Sequence, residues 1–418
     1  MKNQKVCIVG LGYVGIPLLE ELAKKKFFIF GIDSYKEKID FLRKKYEKIK
    51  KKVTFSNNFK SVIYANFVIV CVPTPINNKN KPNLTQLKKA CKFIGKNLKK
   101  KTIVIFESTV YPGVTEEICV PILEKYSNLK WLSDFNIGYS PERISPGEKN
   151  KTLTQIKKII SADNKKTLKK LRDFYTTIVK AGVYEAESIK VAEAAKILEN
   201  IQRDTNIALM NEVSIIFNKL KINTLDVIKA ASTKWNFNTY LPGLVGGHCI
   251  GVDPYYLVYK SKKEGYIPDI INAARKVNNF MPDYVTNEII KNFKEKDYNK
   301  KKILILGITF KENCEDIRNS RSFDIYKNLS QKKISCFIYD PVANIKEVKK
   351  EYNIDLFDIK NLNFKIDGII IAVSHRKFDK KLIIKLSKKL RNNSFVFDVK
   401  SKFKKDFYLK NNLKTFNL

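Results

Sequence analysis

The segment KVCIVGLGYVGIPLLEELAKKKFFIFGID, residues 5–33, decides the fold of the N-terminal part of this chain. Its opening run VCIV is apolar and rich in β-branched side chains, which is typical of a buried strand. A glycine-rich turn follows, and the next ten residues have the apolar spacing of a helix. A second apolar run then ends at Asp33. The segment therefore predicts a strand–turn–helix–strand unit with parallel strands.

The turn has the pattern G-x-G-x-x-G, with glycines at Gly10, Gly12 and Gly15. The first glycine allows a tight turn, the second lets the backbone approach a pyrophosphate, and the third lets the helix pack on the strand. The helix N-terminus stabilises phosphate charge. Asp33 is placed to accept a hydrogen bond from a ribose 2′-hydroxyl, which favours NAD over NADP. A purely structural glycine turn is the alternative, but the strand, helix and acid together favour a dinucleotide site.

Strand-like runs at 67–73, 102–109 and 135–142 alternate with amphipathic segments, which predicts a doubly wound parallel sheet. From about residue 187 more than thirty residues contain neither proline nor glycine, so we predict one long helix, followed by further helix. The strand rhythm resumes at KKILILGITF. We predict an α/β protein in which a helical domain joins two Rossmann-like domains. The predicted domain boundaries give three domains, residues 1–186, 187–297 and 298–418.

The C-terminal part begins with a strand and a turn, ILILGITF, residues 303–310, that resemble the N-terminal ones. This turn has one glycine where the dinucleotide pattern needs three. Asp340 follows the next strand-like run, as Asp33 does in the N-terminal part. We predict no second dinucleotide there and leave open a nucleotide ligand of another kind.

The formal net charge is +38, from 80 lysines and arginines against 42 aspartates and glutamates. Such an excess is typical of proteins that bind nucleic acid or membrane surfaces. The lysines are spread over the whole chain, however, and none of their runs forms a long tail. We interpret most of the charge as solvated surface, with nucleic-acid binding as the less favoured alternative. No stretch reaches the roughly 18 uninterrupted apolar residues that a membrane span needs.

Seven cysteines lie far apart without a C-x-x-C pair, which fits reduced thiols in the cytoplasm rather than a disulfide framework. Two histidines without clustered soft ligands predict no metal site. Cys249 stands beside one of these histidines in LVGGHCIGVDPYY, residues 244–256. A buried cysteine is usually a small apolar residue, but glycines and polar neighbours favour close approach of a ligand. In a chain that binds NAD, a nucleophilic thiol indicates aldehyde oxidation through a thioester.

Lys196 and Asn200 lie four residues apart in the predicted long helix, so both side chains project from one face. Taken alone, two polar residues at this spacing are more simply a solvated surface. Glu199 and Arg203 have the same spacing, which predicts an ion pair along the helix.

The motifs GLGYVG, ESTVYPG, SPER, AEAAKILEN, GGHCIGVDPYY and TFKENCEDIRNS together resemble those of the UDP-glucose/GDP-mannose dehydrogenase family. They follow the family's order and cover essentially the whole chain. The stretches SPERISPG, TKWNFNTYLPGLVGGHCIGVDPYYL and FKENCEDIRNS look like the branch that oxidises UDP-N-acetylhexosamines for capsule and O-antigen polysaccharides. UDP-glucose enzymes usually show phenylalanine, serine and glutamine around the cysteine motif, where this chain has His248 and Gly251.

The resemblance implies that Cys249 attacks the C6 aldehyde and forms a thiohemiacetal, whose oxidation gives a thioester. Lys196, with Asn200, would stabilise the oxyanion at C6, in keeping with the preference of a developing negative charge for a nearby ammonium. Asp253 would hold the water and assist proton transfer together with a threonine. The implied catalytic residues are Cys249, Lys196, Asn200, Asp253, Thr109 and Glu142, the last of which would assist hydrolysis of the thioester.

The same resemblance implies that residues 1–186 bind NAD, that 187–297 serve dimerisation and catalysis, and that 298–418 bind the UDP-sugar. It also implies cofactor and substrate contacts. Residues 240–246 would form the loop that grips the substrate, and Arg318 would reach NAD from the C-terminal domain. Lys400 stands where UDP-glucose enzymes carry an arginine, with weaker capacity for bidentate contacts. The cofactor set is Gly10, Gly12, Tyr13, Val14, Gly15, Asp33, Lys38, Thr74, Thr109 and Arg318. The substrate set is Glu142, Arg143, Ile144, Ser145, Lys196, Asn200, Tyr240, Gly243, Gly246, Lys311 and Lys400.

We therefore expect an NAD-dependent 6-dehydrogenase that converts UDP-N-acetylglucosamine or UDP-N-acetylgalactosamine into its uronate with two NAD per sugar. UDP-glucose and UDP-N-acetylmannosamine are alternative substrates, and a basic nucleic-acid-binding protein is the distant alternative. In the family the long helix forms the core of a dimer. We expect a cytoplasmic homodimer without metal, membrane or nucleic-acid partner.

Overall fold

The structure is a computed structural model that describes residues 4–144, 152–293 and 298–418. The chain forms two compact units. Unit 1 contains the residues up to Glu199 together with Tyr255–Ile267, and unit 2 contains Asn200–Pro254 together with Pro268–Leu418. The predicted division into three domains, with boundaries near 186 and 298, stays a prediction. Within the described ranges, no helix has both the length and the apolar character that crossing a membrane requires.

Unit 1 is built on one sheet, which has eight strands in the described part of the chain. Five of these strands are the ones that the apolar runs of the sequence predict, and the other three were not predicted from the sequence. The strands are β1 (Lys5–Val9), β2 (Phe28–Ile32), β3 (Val53–Ser56), β4 (Phe67–Val70), β5 (Ile103–Phe106), β6 (Asn136–Tyr139), β7 (Lys158–Ala162) and β8 (Val183–Glu185).

The strand order is β3-β2-β1-β4-β5-β6-β7-β8, and all neighbours pair in parallel except β6 and β7. The chain therefore winds outward in opposite directions from β1 and β4. At such a switch point the loops after the two strands diverge and leave a crevice at the carboxyl ends of the strands. This crevice is where a parallel α/β sheet binds its ligand.

Helices cover the sheet of unit 1 and bury its apolar runs. Val6 and Ile8 of β1 are completely buried, and the ring of Phe174 packs against Phe27 and Phe67 with centroid distances of 5.5 and 4.8 Å. Each such side chain contributes about 1.5–3 kcal/mol when fully buried. The helices are α1 (Gly15–Ala23), α2 (Lys36–Lys45), α3 (Thr85–Gly95), α4 (Val120–Ser127, preceded by a π turn at Thr115–Cys119) and α5 (Lys165–Tyr175).

The long helix α6 spans Ile189–Lys219 and confirms the prediction from the proline- and glycine-free segment. Shorter helices follow it, and the first of them is capped by the Asn223 side chain, which accepts a hydrogen bond from the N–H of Asp226. These helices are α7 (Thr224–Ala231), α8 (Asp253–Lys263) and α9 (Asp269–Lys291).

Unit 2 contains a second parallel sheet, with the order β10-β9-β11-β12-β13 in the described residues. The predicted α/β fold with two Rossmann-like sheets and a helical part is therefore confirmed. Its strands are β9 (Lys302–Leu306), β10 (Ser335–Tyr339), β11 (Ile366–Ile371), β12 (Leu390–Asp398) and β13 (Thr415–Phe416). Its flanking helices are α10 (Arg321–Gln331), α11 (Ile345–Tyr352), α12 (Lys380–Ser387) and α13 (Lys405–Lys410).

Candidate active site

The glycine turn of unit 1 lies between β1 and α1, and each glycine has a distinct steric reason. Gly10 has φ of +96°, and a Cβ on it would lie 2.8 Å from the carbonyl group of Cys71. A Cβ on Gly15 would lie 2.0 Å from the Gly10 oxygen, whereas a Cβ on Gly12 would meet no atom within 4 Å. Gly10 and Gly15 are thus required by packing, and Gly12 faces open space. This is the arrangement that lets a pyrophosphate approach the backbone.

Asp33 lies at the carboxyl end of β2 beside this turn and is 8% exposed. Its Oδ2 atom accepts hydrogen bonds from the Leu11 N–H at 3.1 Å and from Lys38 Nζ at 2.8 Å, and its Oδ1 accepts the Tyr35 N–H at 3.2 Å. The open turn and the adjacent carboxylate fit the pyrophosphate and adenosine ribose of NAD. Of the other two turn residues, Tyr13 is half-exposed and Val14 packs against the core of unit 1.

Two predicted threonines meet at the carboxyl ends of β4 and β5. Thr74 Oγ1 donates a hydrogen bond to the Thr109 carbonyl at 2.6 Å. The Tyr256 hydroxyl, on a fully buried ring of α8, donates to the Thr74 carbonyl at 2.6 Å. Sequence reasoning missed Tyr256, although it lies in the cysteine motif that carries the family resemblance. Tyr256 and Thr74 both belong to unit 1.

Glu142 lies just after β6 with both of its oxygens engaged. Oε1 accepts the N–H groups of Arg143 at 2.6 Å and Ile144 at 2.7 Å, and Oε2 accepts Lys158 Nζ at 3.1 Å. Lys158 lies on β7 and is 3% exposed. The sequence carried no signal for this lysine, because its strand was not predicted. Ser145 lies outside the described residues.

Arg143, a member of the predicted substrate set, points to α6. Its guanidinium binds both oxygens of Glu199, with Nη2–Oε1 at 2.7 Å and Nε–Oε2 at 3.2 Å. Glu199 therefore pairs with Arg143 and not with Arg203, so the predicted pair along the helix is wrong. A bidentate pair with a partner brought in by the fold is stronger than an exposed pair one turn away. Ile144 packs against the apolar core of unit 1.

The predicted catalytic face of α6 is buried. Lys196 is 8% exposed and Asn200 is 6% exposed, so this face is not the solvated surface of the alternative interpretation. In unit 2 the Asn200 Nδ2 atom donates a hydrogen bond to Asp253 Oδ2 at 2.5 Å. Asp253, itself 3% exposed, begins α8 and donates its N–H to the Cys249 carbonyl at 2.8 Å. The thiol of Cys249 is exposed in the turn before that helix.

Next to Cys249, His248 meets the motif that precedes α10. Its Nδ1 atom lies 3.3 Å from Asp316 Oδ2, and Arg318 donates two hydrogen bonds to the Asp316 carboxylate at 2.7 and 2.9 Å. Burial, and then the positive charge of Arg318, lowers the pKa of His248. Burial opposes the ionisation of Asp316, but Arg318 lowers the pKa of that carboxyl below its usual range. Arg318, predicted to bind NAD, thus has its guanidinium held by Asp316, with its side chain 46% exposed.

The predicted substrate loop, residues 240–246, is held by the buried Asn211 and the partly buried Arg321 of unit 2. The Asn211 amide donates to the Gly243 carbonyl at 3.0 Å and accepts the Gly243 N–H at 2.8 Å. Arg321 Nε donates to the Val245 carbonyl at 3.2 Å. A Cβ on Gly246 would lie 2.6 Å from the Asn319 oxygen, so the loop runs close to the neighbouring backbone there. Sequence reasoning missed Asn211, whose partner lies 32 residues away.

One pocket of unit 2 brings several predicted substrate residues together. Lys311 and Lys400 line it with Leu244 of the loop and with Glu312. Lys400 Nζ forms an ion pair with Glu312 Oε1 at 2.7 Å. Burial opposes ionisation of Glu312, but Lys400 lowers the pKa of that carboxyl. The hydroxyl of Tyr240 lies 3.4 Å from Gln202 Oε1, and that contact belongs to the same unit.

Comparison with known proteins agrees with this arrangement. The NAD binding domain model of the UDP-glucose/GDP-mannose dehydrogenase family matches residues 4–179, the central domain model matches 190–280, and the UDP binding domain model matches 304–405. The chain belongs to the UDP-glucose/GDP-mannose dehydrogenase family. The prediction of an NAD-dependent nucleotide-sugar dehydrogenase is thereby confirmed, as is NAD as its cofactor.

Three similar proteins illustrate how closely this chain resembles individual members of the family. The UDP-N-acetyl-D-glucosamine 6-dehydrogenase of Salmonella typhi is 46% identical over 90% of each chain. The protein CapL of Staphylococcus aureus is 43% identical over 95% of this chain and 96% of its own. The structure of the UDP-D-ManNAc dehydrogenase from Pyrococcus horikoshii covers 96% of each chain with a TM-score of 0.86, at 26% identity.

Proposed function

We propose that this dehydrogenase oxidises the C6 alcohol of UDP-N-acetylglucosamine to the carboxylate and so supplies a uronic acid for a surface polysaccharide. The observation that carries the choice of sugar is the 46% identity to a relative named for the glucosamine sugar, against 34% to a relative named for the mannosamine sugar. UDP-N-acetylgalactosamine differs only at C4 and is the second candidate, in keeping with the N-acetylhexosamine character of the cysteine motif.

The reaction removes four electrons: one alcohol, two NAD and one water give one carboxylate, two NADH and three protons. Bound NAD supplies the hydride acceptor for each oxidation. The backbone around Gly12 would hold its pyrophosphate, and Asp33, with Lys38 beside it, would hold its ribose. Thr74 and Thr109, which are hydrogen-bonded to each other, would line the same crevice.

In the first oxidation, the C6 hydroxyl gives up its proton while a hydride leaves the carbon. We propose that Lys196 stabilises the alkoxide, since an ammonium in a desolvated site favours a developing negative charge. Asp253 would take part in proton transfer through a water, with Thr109. The hydrogen bond from Asn200 orients the Asp253 carboxylate.

In the second oxidation, the Cys249 thiolate adds to the aldehyde and forms a C–S bond, which keeps the aldehyde bound. The thiohemiacetal loses a second hydride and its hydroxyl proton and becomes a thioester. Water then attacks the thioester carbon, the C–S bond breaks, and Glu142 accepts the proton of the water. A thiolate serves this step better than a hydroxyl, because it is far more nucleophilic at neutral pH. The exposure of Cys249 supports this assignment.

The test is to incubate the purified chain with UDP-N-acetylglucosamine, UDP-N-acetylgalactosamine, UDP-N-acetylmannosamine and UDP-glucose while NADH and uronate are counted. We expect UDP-N-acetylglucosamine to give the highest kcat/KM, with two NADH per uronate and no released aldehyde. Cys249→Ser should lose at least about 100-fold in kcat, because a hydroxyl is a poor nucleophile at neutral pH. One NADH per sugar with accumulating aldehyde would contradict the four-electron reaction, and equal kcat/KM for all four sugars would contradict the assignment of substrate.

We also propose that the chain works as a homodimer through α6. Four exposed apolar side chains, Val191, Leu198, Leu209 and Ile216, are spaced by 7 and 11 residues, which are whole numbers of helical turns. They lie on one face of the helix, and several exposed apolar side chains on one face are typical of an interaction surface. Light scattering should give a dimer, and Leu198→Lys with Leu209→Lys should give monomers.

The net charge of +38 is proposed to be solvated surface in a cytoplasmic enzyme with no nucleic-acid or membrane partner. Any DNA binding should then be weak and should fall steeply with salt, because counterion release alone would drive it. Tight duplex binding at physiological salt, together with no NADH from any UDP-sugar, would favour the nucleic-acid interpretation instead.

A further inference from the structure

Beneath Glu142 lies a cluster of buried titratable groups that the proposed chemistry does not use. Lys158 Nζ lies 3.1 Å from Glu142 Oε2 and 3.3 Å from Glu107 Oε2, and the side chain of Glu107 is fully buried. The Tyr175 hydroxyl donates to Glu107 Oε1 at 2.5 Å. Cys71 completes the set of ionisable groups that face the lysine. All five residues belong to unit 1.

A buried ammonium needs opposite charge and hydrogen-bond acceptors, since an isolated charge in the interior costs several kcal/mol. Burial alone would lower the pKa of Lys158, but Glu107 and Glu142 outweigh burial and raise it, so the lysine stays a cation. Burial raises the pKa of Glu107, and Lys158 opposes that effect. The two carboxylates therefore share one ammonium.

The hydrogen bonds of that ammonium are not shared evenly. Lys158 Nζ donates to Glu142 Oε2 at 3.1 Å and to the carbonyl of the adjacent Pro141 at 3.4 Å. Glu107 Oε2 lies at ion-pair distance from the lysine, but it has no hydrogen-bond partner among the described residues. Lys158 thus donates to Glu142 and to the backbone beside it, and its ammonium also forms an ion pair with Glu107.

The consequence for Glu142 is a fixed orientation. A carboxylate has about four lone-pair directions. Two are taken on Oε1 by the N–H groups of Arg143 and Ile144, and Lys158 takes one on Oε2. A single lone pair is left for a water. We propose that Lys158 is a positioning residue for thioester hydrolysis, which aims the remaining lone pair of Glu142, and that Glu107 and Tyr175 anchor it. This inference rests on the proposed function.

The test is Lys158→Met, which keeps the length of the side chain and removes its charge and its donors. The first two hydride transfers do not use Glu142, so we expect a rapid burst of two NADH per active site. Hydrolysis should then limit turnover, with kcat lowered at least tenfold, KM for NAD lowered in proportion and kcat/KM for NAD unchanged. Acid quenching followed by mass spectrometry should detect the sugar nucleotide attached to Cys249. The matched control is Lys170→Met, an exposed lysine of α5, which should show neither the burst nor the adduct.

A double variant separates positioning from simple charge balance. Glu107→Gln with Lys158→Met removes one negative and one positive charge and so keeps the net charge of the cluster. It is expected to fold even if the single variant does not, because neutral pairs often replace buried ion pairs without loss of stability. If Lys158 only balances Glu107, the double variant will hydrolyse the thioester normally, and the inference fails. We expect the adduct to accumulate in the double variant as well.

Other outcomes separate this inference from the proposed function. If the unaltered enzyme makes two NADH per uronate and Lys158→Met slows every step without an adduct, Lys158 is only structural and the inference fails alone. Normal turnover in Lys158→Met has the same meaning. If the unaltered enzyme forms no uronate from any UDP-sugar, the proposed function fails first.

Discussion

The glycine turns of the two Rossmann-like sheets begin alike. Gly10 and Gly307 have φ of +96° and +94°. A Cβ on Gly10 would lie 2.8 Å from Cys71, which follows the neighbouring strand β4, and a Cβ on Gly307 would lie 2.5 Å from Val373, which follows the neighbouring strand β11. In both turns the following N–H donates to a carboxylate at the end of the neighbouring strand. In unit 1 the Leu11 N–H donates to Asp33 at 3.1 Å, and in unit 2 the Ile308 N–H donates to Asp340 at 2.7 Å. The strand–turn–acid pattern is therefore the same.

The two carboxylates then differ in what they bind. Asp340 also accepts the N–H groups of Thr309, Val342 and Ala343, and His375 Nε2 lies 3.1 Å from it. The fully buried His375 accepts the Asn313 N–H on Nδ1, so the Nε2 proton faces Asp340. The carboxylate oxygens of Asp340 are therefore occupied by hydrogen bonds from its own turn and from His375.

In unit 1 the corresponding acid keeps a different set of partners. Beyond the Leu11 N–H, Asp33 binds only the Tyr35 N–H and the half-exposed Lys38 ammonium among the contacts of the described residues. The comparison shows that a carboxylate at this position can bind the ribose of a cofactor only when hydrogen bonds within its own turn do not occupy it. The UDP binding domain model matches residues 304–405, which agrees with a nucleotide other than a second dinucleotide in unit 2.

The largest effect is expected for Gly15→Ala. Its Cβ would overlap the Gly10 oxygen at 2.0 Å, so the turn and α1 must separate. We expect unit 1 to lose about 3 kcal/mol or more of unfolding free energy, the upper range for overpacking, together with NAD binding. Denaturant unfolding and NAD titration measure both. Gly12→Ala should keep the stability and lose only NAD affinity, and Glu312→Ala, the corresponding position of unit 2, should change the stability by less than about 1 kcal/mol. Equal unfolding free energies for Gly15→Ala and Gly12→Ala would contradict the different steric roles assigned to the two glycines.

Asp340→Asn should have the next largest effect, a loss of about 2–3 kcal/mol in the stability of unit 2, since buried donors lose a charged acceptor. Burial alone would raise the pKa of Asp340, but the hydrogen bonds from His375 and from backbone N–H groups outweigh burial and lower it. Its contribution to stability is therefore present above the ordinary aspartate pKa of about 4 and is lost as the pH falls through the folded value. Unfolding at pH 7 and at pH 3 should show the gap between variant and parent shrink in acid. Asp33→Asn should show a much smaller gap at pH 7.

The smallest effect concerns cofactor choice. Asp33→Ala should narrow the preference for NAD over NADP by about 10- to 100-fold, because the like charge that repels a 2′-phosphate is removed. Lys38, 2.8 Å from Asp33, would then attract that phosphate. Adding Lys38→Ala should restore discrimination in part. Ratios of kcat/KM for the two cofactors measure the effect, and Asp340→Asn should leave the ratio unchanged. A parent enzyme that uses both cofactors equally would contradict the role of Asp33.

The sequence by itself determined the features that recur at short spacing along the chain. The glycine turn with its flanking strands, the alternation of strands and helices, and the 31 residues of α6 all follow from local periodicity and from the positions of glycine and proline. The motif order identified the family and with it Cys249, Asn200 and Asp253. The strands β3, β7 and β8 escaped prediction because none of them contains an apolar run longer than two residues.

Only the tertiary structure decided which polar side chains meet. Glu199 pairs with Arg143, 56 residues away, and not with the arginine one turn along its own helix. Lys158 reaches Glu142 only because β7 enters the sheet beside β6, and nothing in its neighbourhood along the chain marks it as a buried lysine. The physical reason is that a charged group in a folded chain is stabilised by the opposite charge and hydrogen bonds available where it is desolvated. That partner is set by the packing of strands and helices, not by distance along the sequence.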